Sequence, residues 1–432
     1  MKIYLDTIGC RLNQSEIETY ARQFRARGHT LVSSPAQADL VVVNTCTVTA
    51  AAASDSRQKI RQAARLGAAQ IIATGCWATL NPQEAASLPQ VSRVVLNSTK
   101  DRLVHEFLQI SDENLDDEVA EREPVPGRRS RTRAFLKVQD GCDNRCTFCI
   151  TTLARGPGIS RPIPQVLTEV RAAQGAGLRA DHGAREIILT GVHLGSWGHD
   201  FSPPQQLRHL VKAILDETDL PRLRLSSLEP WDLDRDFFVL WENPRLCRQL
   251  HLPLQSGSAA TLRRMGRKTT PQAYAGLVSQ ARAAIPGVAV TTDIIVGFPG
   301  EDEAEFAESL DFVRRMQFAG GHVFTYSARP GTAAARMPDQ VPYLVRKERN
   351  EKMRLALAES SNAFRRDFLG HELHVLWESA TLLSPGNWAL DGLTDNYLRV
   401  GATSHDPLHN RISPVRLTAL SADGLSGDIL SS

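Results

Sequence analysis

The chain has 432 residues, 50 Lys and Arg against 48 Asp and Glu, and a formal net charge of +2; hydrophobic residues make up 42% and charged residues 23%. This composition suits an ordinary globular protein with room for about three domains; it holds no apolar run near the roughly 20 residues of a membrane span, and its charge is too small to draw nucleic acid by long-range field alone. The N-terminal MKIYLDTIGC lacks the basic-then-apolar pattern of a secretion signal, so a cytoplasmic protein with no membrane partner is expected, whose seven cysteines read as metal-binding or catalytic rather than as disulfides.

Three strand-like runs open the chain, each leading to a cysteine: KIYLDTIG before Cys10, DLVVVNT before Cys46 and QIIATG before Cys76. Helical text lies between them at residues 16–27 and 54–66, so residues 1–110 read as a β-α-β-α-β unit with an open parallel sheet. Ligand crevices in such sheets lie outside the carboxyl ends of the strands, where all three thiols would stand. Residues 111–133 turn acidic (DENLDDEVAERE), then run PVPG, then turn basic (RRSRTR), which is linker composition. Arg128, Arg129, Arg131 and Arg133 there are candidate RNA-backbone contacts or, equally, a solvated surface strand.

Residues 134–340 alternate on a larger scale. Six strand candidates, AFLKVQDG, EIILTGV, RLRLSSL, QLHLPL, VTTDIIVG and HVFTYS, are separated mostly by helical text such as residues 164–173 and 302–316. Six β/α units fall short of the eight that close a full barrel, so a partial (β/α)6 barrel is expected, with its site at the carboxyl ends of the strands. Residues 341–369 read as one connecting helix, with Met353, Leu357, Phe364 and Phe368 at helical spacing. Residues 370–432 read as a small antiparallel β-barrel built from LHVLWES, WALDGLT, NYLRVGA and VRLTALSADG.

Directly after the first strand of the central unit comes GCDNRCTFCI, with Cys142, Cys146 and Cys149 spaced C-x₃-C-x₂-C. A structural zinc site wants four protein ligands, and neither trio has a fourth nearby. A [4Fe–4S] cube held by three thiolates leaves one iron open for an outside ligand, so three is the number that chemistry asks for. Cys247 is left over and reads as a buried structural thiol.

The C-x₃-C-x₂-C loop after the first strand of a partial barrel resembles the radical S-adenosylmethionine enzymes, and Phe148 before the last cysteine is similar to their pattern. With a three-cysteine α/β unit before it and a small β-barrel after it, nearly the whole chain resembles the methylthiotransferases. The similar text is IGCRLNQSE, NTCTVT, TGCWA, QDGCDNRCTFCI, LTGVHLGSWG, RLRLSSLEP, HLPLQSGS, TDIIVGFPGE and YSARPGT. NTCTVT, TGVHLGSWG and RLRLSSLEP look most like the branch acting on N6-threonylcarbamoyladenosine at position 37 of tRNA. Trp77 after Cys76, and Ile159 where a basic residue is frequent, depart from the pattern.

The resemblance implies two [4Fe–4S] clusters: an auxiliary one on Cys10, Cys46 and Cys76, and one on Cys142, Cys146 and Cys149 that binds S-adenosylmethionine. It further implies that Gly191, Glu229, Gln255 and the Gly297 to Glu301 loop approach S-adenosylmethionine, that a radical removes hydrogen from C2 of the adenine, and that a methylthio group replaces it. The expected partners are the tRNA anticodon loop, read by a TRAM-like C-terminal barrel, and an outside reductant protein and sulfur donor. The alternatives are isopentenyladenosine-37 of tRNA, a ribosomal-protein aspartate, or a non-catalytic iron–sulfur or zinc protein.

Overall fold

The computed structural model describes residues 1–110, 126, 132–175 and 183–430. Arg128, Arg129 and Arg131, with most of the expected linker, lie outside them.

The first unit is a parallel five-stranded sheet ordered β2-β1-β3-β4-β5. Its strands are β1 (Lys2–Thr7), β2 (Thr30–Leu31), β3 (Leu40–Thr45), β4 (Ile71–Gly75) and β5 (Val91–Val95). The three expected strands form its centre; β2 and β5 were not read from sequence because one is two residues long and the other is largely exposed. The apolar run of β3 is buried at all six positions, as a strand covered on both faces requires. Helices α1 (Arg11–Ala26), α2 (Ala50–Arg65), α3 (Cys76–Leu80), α4 (Pro82–Ala86) and α5 (Leu103–Phe107) complete the unit. α1 starts earlier than periodicity suggested, because the residues before Glu16 bury the polar Asn13 and Ser15 with only Leu12 as an apolar partner.

The central unit is built from two parallel three-stranded sheets, β10-β9-β6 and β11-β12-β13, joined by parallel bridges between Leu223 and Leu246 and between Ser227 and His251. The six strands are β6 (Arg133–Lys137), β9 (Glu186–Thr190), β10 (Arg222–Leu225), β11 (Gln249–His251), β12 (Ala289–Val296) and β13 (Gly320–Thr325). The first expected strand breaks at Val138, and its end becomes β7 (Gln139–Asp140), which pairs with β8 (Ile159–Ser160). Around the sheets lie α6 (Thr151–Arg155), α7 (Ile163–Gln174), α8 (Leu207–Glu217), α9 (Arg235–Phe238), α10 (Ala259–Arg264), α11 (Pro271–Ala284) and α12 (Glu303–Met316). The largest apolar core joins the helix-facing sides of these strands, including Ile187, Leu223, Leu250 and Val290, to α7, α8, α11 and α12.

α13 (Tyr343–Arg366) leads to a closed barrel of β14 (Glu372–Ser384), β15 (Asn387–Thr394), β16 (Arg399–Ser404), β17 (Ile412–Leu420) and β18 (Leu425–Ile429), ordered β14-β15-β16-β18-β17. The antiparallel expectation is corrected at one edge, where β16 and β18 run parallel. A ring of five strands cannot alternate direction throughout, so closure forces one parallel pair. The barrel is docked by buried arginines: Arg222 donates to the carbonyls of Leu393 and His374, and Arg224 to those of Thr394 and Asp395 while pairing with Glu186. Of the two readings of Arg133, the surface strand is what forms: it begins β6, half-buried, and pairs with Glu378 of the barrel at 2.5 Å. Among the described residues no helix is long and apolar enough to cross a membrane.

Candidate iron–sulfur active site

The register places Cys10, Cys46 and Cys76 just past the carboxyl ends of three neighbouring strands, β1, β3 and β4. A buried polar net holds their loops together. Asn13 donates to the carbonyls of Ile8 and Thr45, drawing the first two loops into contact. The Thr45 hydroxyl donates to the Thr74 carbonyl and accepts from Ala78 N–H, tying the second loop to the third. Gly9 holds φ +95°, and a Cβ there would strike the Cys46 sulfur. Cys46 and Cys76 are buried and Cys10 is exposed, so the trio opens on the Cys10 side.

Cys142, Cys146 and Cys149 lie in one loop between β7 and α6. Gly141 (φ +67°) allows its entry, because a Cβ would collide with the Pro157 carbonyl. Backbone N–H groups of Asn144 and Thr151 donate to the sulfurs of Cys142 and Cys149, each at 3.4 Å, and Thr147 is bonded to the Met265 and Arg264 carbonyls. Phe148 packs edge-on against Phe298, which packs on Tyr326, walling one side with aromatic surface. Burial pushes the Cys46 and Cys146 thiols up, so filling either site with metal releases protons.

Among the described residues no three His, Cys, Asp or Glu side chains stand close enough to share a single metal ion. Each trio nonetheless fits an iron–sulfur cluster: its donors are all sulfur, polar groups already point at the sulfurs, and the glycines at its edge leave no room for a side chain. Beside the second trio Trp231 Nε1, Arg267 Nε and Tyr326 Oη are buried with no partner, which fits a polar ligand such as S-adenosylmethionine.

The remaining expected residues stand at successive strand ends. Gly191 follows β9 and lies against Gln139, Glu229 follows β10, Gln255 follows β11 and Gly297 follows β12. Their side chains are differently engaged. Glu229 forms a two-armed ion pair with Arg267, which also reaches the Cys146 sulfur at 3.8 Å and stacks on Trp231. Gln255 takes φ +71° and is held by backbone bonds to Asp293 and Ile295. The Glu301 carboxylate accepts from Gly297 N–H and Arg349, closing its own loop and tying it to α13.

Sequence reasoning missed several groups beside the sulfurs. His193 is bonded to Asp232 at 2.6 Å and to Asn144 at 3.3 Å; burial disfavours its charge, but Asp232 and the Cys142 sulfur outweigh burial and hold it up at about 10. Asn97 donates to the Cys76 sulfur and to the Ala154 carbonyl. Arg155, with its side chain 2% exposed, reaches the Cys76 sulfur from the helix that follows Cys149. The available signal was polar residues in otherwise helical text: Asn13 and Glu16 in RLNQSE, and Arg155 in ARG.

Residues 2–97 match a family described as Uncharacterized protein family UPF0004, and residues 136–313 match the Radical SAM superfamily. The threonylcarbamoyladenosine tRNA methylthiotransferase MtaB of Bacillus subtilis is 34% identical over 95% of this chain and 92% of its own length. The chain belongs to the radical SAM methylthiotransferases. The MtaB of Thermotoga maritima is 35% identical over 98% of this chain and 96% of its own length. A tRNA-2-methylthio-N(6)-dimethylallyladenosine synthase of Cereibacter sphaeroides is 32% identical over 99% of this chain and 98% of its own. Among solved structures, the radical S-adenosylmethionine methyltransferase TsrM from Kitasatospora setae aligns with TM-score 0.58 at 16% identity, covering 77% of this chain and 75% of that one, a likeness of fold. For a radical SAM methylthiotransferase, the superfamily implies a [4Fe–4S] cluster and S-adenosylmethionine.

Proposed function

We propose that this enzyme adds a methylthio group to C2 of N6-threonylcarbamoyladenosine at position 37 of tRNA, using two [4Fe–4S] clusters, one on each cysteine trio. The observation that carries it is the joining of the two trios: α6, which follows Cys149, delivers Arg155 to Cys76, so both sulfur sites lie within one side chain's reach of a common helix. Relatives named for threonylcarbamoyladenosine match at 31% to 35% identity and relatives named for dimethylallyladenosine at 31% to 32%, so it is the NTCTVT, TGVHLGSWG and RLRLSSLEP text that favours the first.

When bound, the clusters and S-adenosylmethionine would supply the one-electron chemistry and the methyl group, while the sulfur would come from the outside donor. The chain supplies position and exclusion. Gly191, Gln255 and the Gly297 to Glu301 loop would hold S-adenosylmethionine, and Glu301 ties that loop to Arg349. Glu229 acts through Arg267, which it orients against Cys146. The Phe148, Phe298 and Tyr326 wall keeps water from a reactive intermediate. The barrel of β14 to β18 serves as the TRAM-like RNA module, and an anticodon-loop base is already unpaired, so presenting it costs little.

The test is nucleoside mass spectrometry of tRNA from cells with and without the gene. Loss of 2-methylthio-N6-threonylcarbamoyladenosine with accumulation of its unthiolated precursor is expected. Selective loss of the methylthio-isopentenyl nucleoside would give the substrate to the second reading, and an unchanged tRNA profile would refute both.

A further inference from the structure

We infer that Arg155 is a positioning residue that fixes the two cysteine trios against each other and holds a permanent positive charge on the first. The inference rests on the proposal that Cys10, Cys46 and Cys76 hold an auxiliary cluster. Arg155 uses every arm of its guanidinium. Nε donates to the Cys76 sulfur at 3.3 Å, one terminal nitrogen donates to Asn13 at 2.7 Å, and the other to Glu16 at 3.0 Å and Asp140 at 2.8 Å. Asn13 is itself 3.6 Å from the Cys10 sulfur, so one cation touches one thiol directly and a second through a single amide.

Arg155 is the last residue of α6, whose first turn donates a backbone N–H to Cys149, and Asn97 fastens the preceding Ala154 carbonyl to the Cys76 side. Hence a shift of the second loop would pull directly on the first trio. The charge is also built in. Lys100 and Lys137 join Arg155 around Glu16 and Asp140, with Asp101 on Lys137, so three cations face three carboxylates. Of the three cations, it is Arg155 that carries a bond to sulfur. Bonds to cluster sulfur and nearby positive charge favour the reduced state of an iron–sulfur cluster, so this contact raises the potential of whatever cluster the first trio holds.

The test uses the full chain with Cys142, Cys146 and Cys149 replaced by Ala, reconstituted with iron and sulfide, so that only the first trio is loaded. Redox titration followed by electron paramagnetic resonance compares this background with Arg155→Gln and Arg155→Lys added. Arg155→Gln is expected to shift the midpoint to more negative potential, and Arg155→Lys to shift it the same way by less. An unchanged midpoint in Arg155→Gln at full iron content overturns the inference while leaving the auxiliary site standing. Should Arg155→Gln fail to load iron because Glu16 and Asp140 lose their partner, an unchanged midpoint and spectrum in Arg155→Lys overturns it equally. A background protein that binds no iron overturns the auxiliary site and the inference together.

Discussion

The two cysteine trios reach similar sulfur-lined openings by opposite routes. The first is gathered from the ends of β1, β3 and β4, and depends on strand register and on a buried net of Asn13, Thr45 and Asn97. The second is one short loop whose shape is set by Gly141 and by backbone bonds to its own sulfurs. A local trio can be recognised by spacing alone, whereas a distributed one is only as good as the sheet beneath it. That difference also means that the thiols of each trio can be removed separately, even though Arg155 ties their frameworks together.

The largest expected effect breaks the comparison outright. Replacing Cys142, Cys146 and Cys149 by Ala abolishes release of 5′-deoxyadenosine from S-adenosylmethionine, whereas replacing Cys10, Cys46 and Cys76 leaves that release and abolishes methylthio insertion into tRNA. Chromatography of both products from anaerobically reconstituted protein reads the two losses. Equal loss of cleavage in the two variants, with folding intact, would remove the proposed division of labour.

The same contrast explains what could be read without coordinates. The parallel first sheet, the six central strands and the second cysteine loop all follow from period-two and helical patterning or from residue spacing. Gly191, Glu229, Gln255 and Gly297 were singled out by the family resemblance and not by patterning, and each follows one of these strands. What patterning could not show was the use of side chains across units. Arg222 and Arg224 alternate with Leu223 and Leu225 as in any strand, yet they anchor the barrel. Glu16 looks like a solvent-facing helix residue, but it is buried against Lys100 and Arg155. Burial alone would raise its pKa, and those cations hold it well below the usual carboxylate range. Such pairings join residues far apart in sequence, and no local period records them.

Two glycines sharpen the comparison at smaller amplitude. Gly9→Ala and Gly141→Ala each force an L-residue into the left-handed region, at a cost of about 1–3 kcal/mol, and each drives a methyl into its own trio's framework. Gly141→Ala is expected to cut cleavage of S-adenosylmethionine several-fold, because its Cβ meets rigid backbone at Pro157. Gly9→Ala is expected to spare cleavage and lower the iron held by the first trio, because its Cβ meets the Cys46 sulfur itself. Iron analysis on each trio-deleted background separates the two outcomes, and a Gly9→Ala protein that loses cleavage as well would show the sites to be less independent than their loops suggest.

The smallest effect belongs to Cys247, the thiol in neither trio. It lies 1% exposed beside Glu186 and Arg224, and burial pushes its pKa up to about 12. The raised value means that it stays protonated through pH 8, where a thiolate-directed reagent finds nothing to attack. The Cys10 thiol is also pushed up by burial, but a reagent can reach it, so mass spectrometry of iron-free native protein alkylated at pH 8 should find Cys10 modified and Cys247 not. Denaturant should expose Cys247 to the reagent. Cys247→Ala removes one buried sulfur and should cost about 1 kcal/mol, read by urea unfolding, with iron content and cleavage unchanged. If that substitution lowered iron content, the division into two trios and a structural seventh would fail at its simplest point, since a buried thiol that matters to loading has a ligand's role and not a packing one.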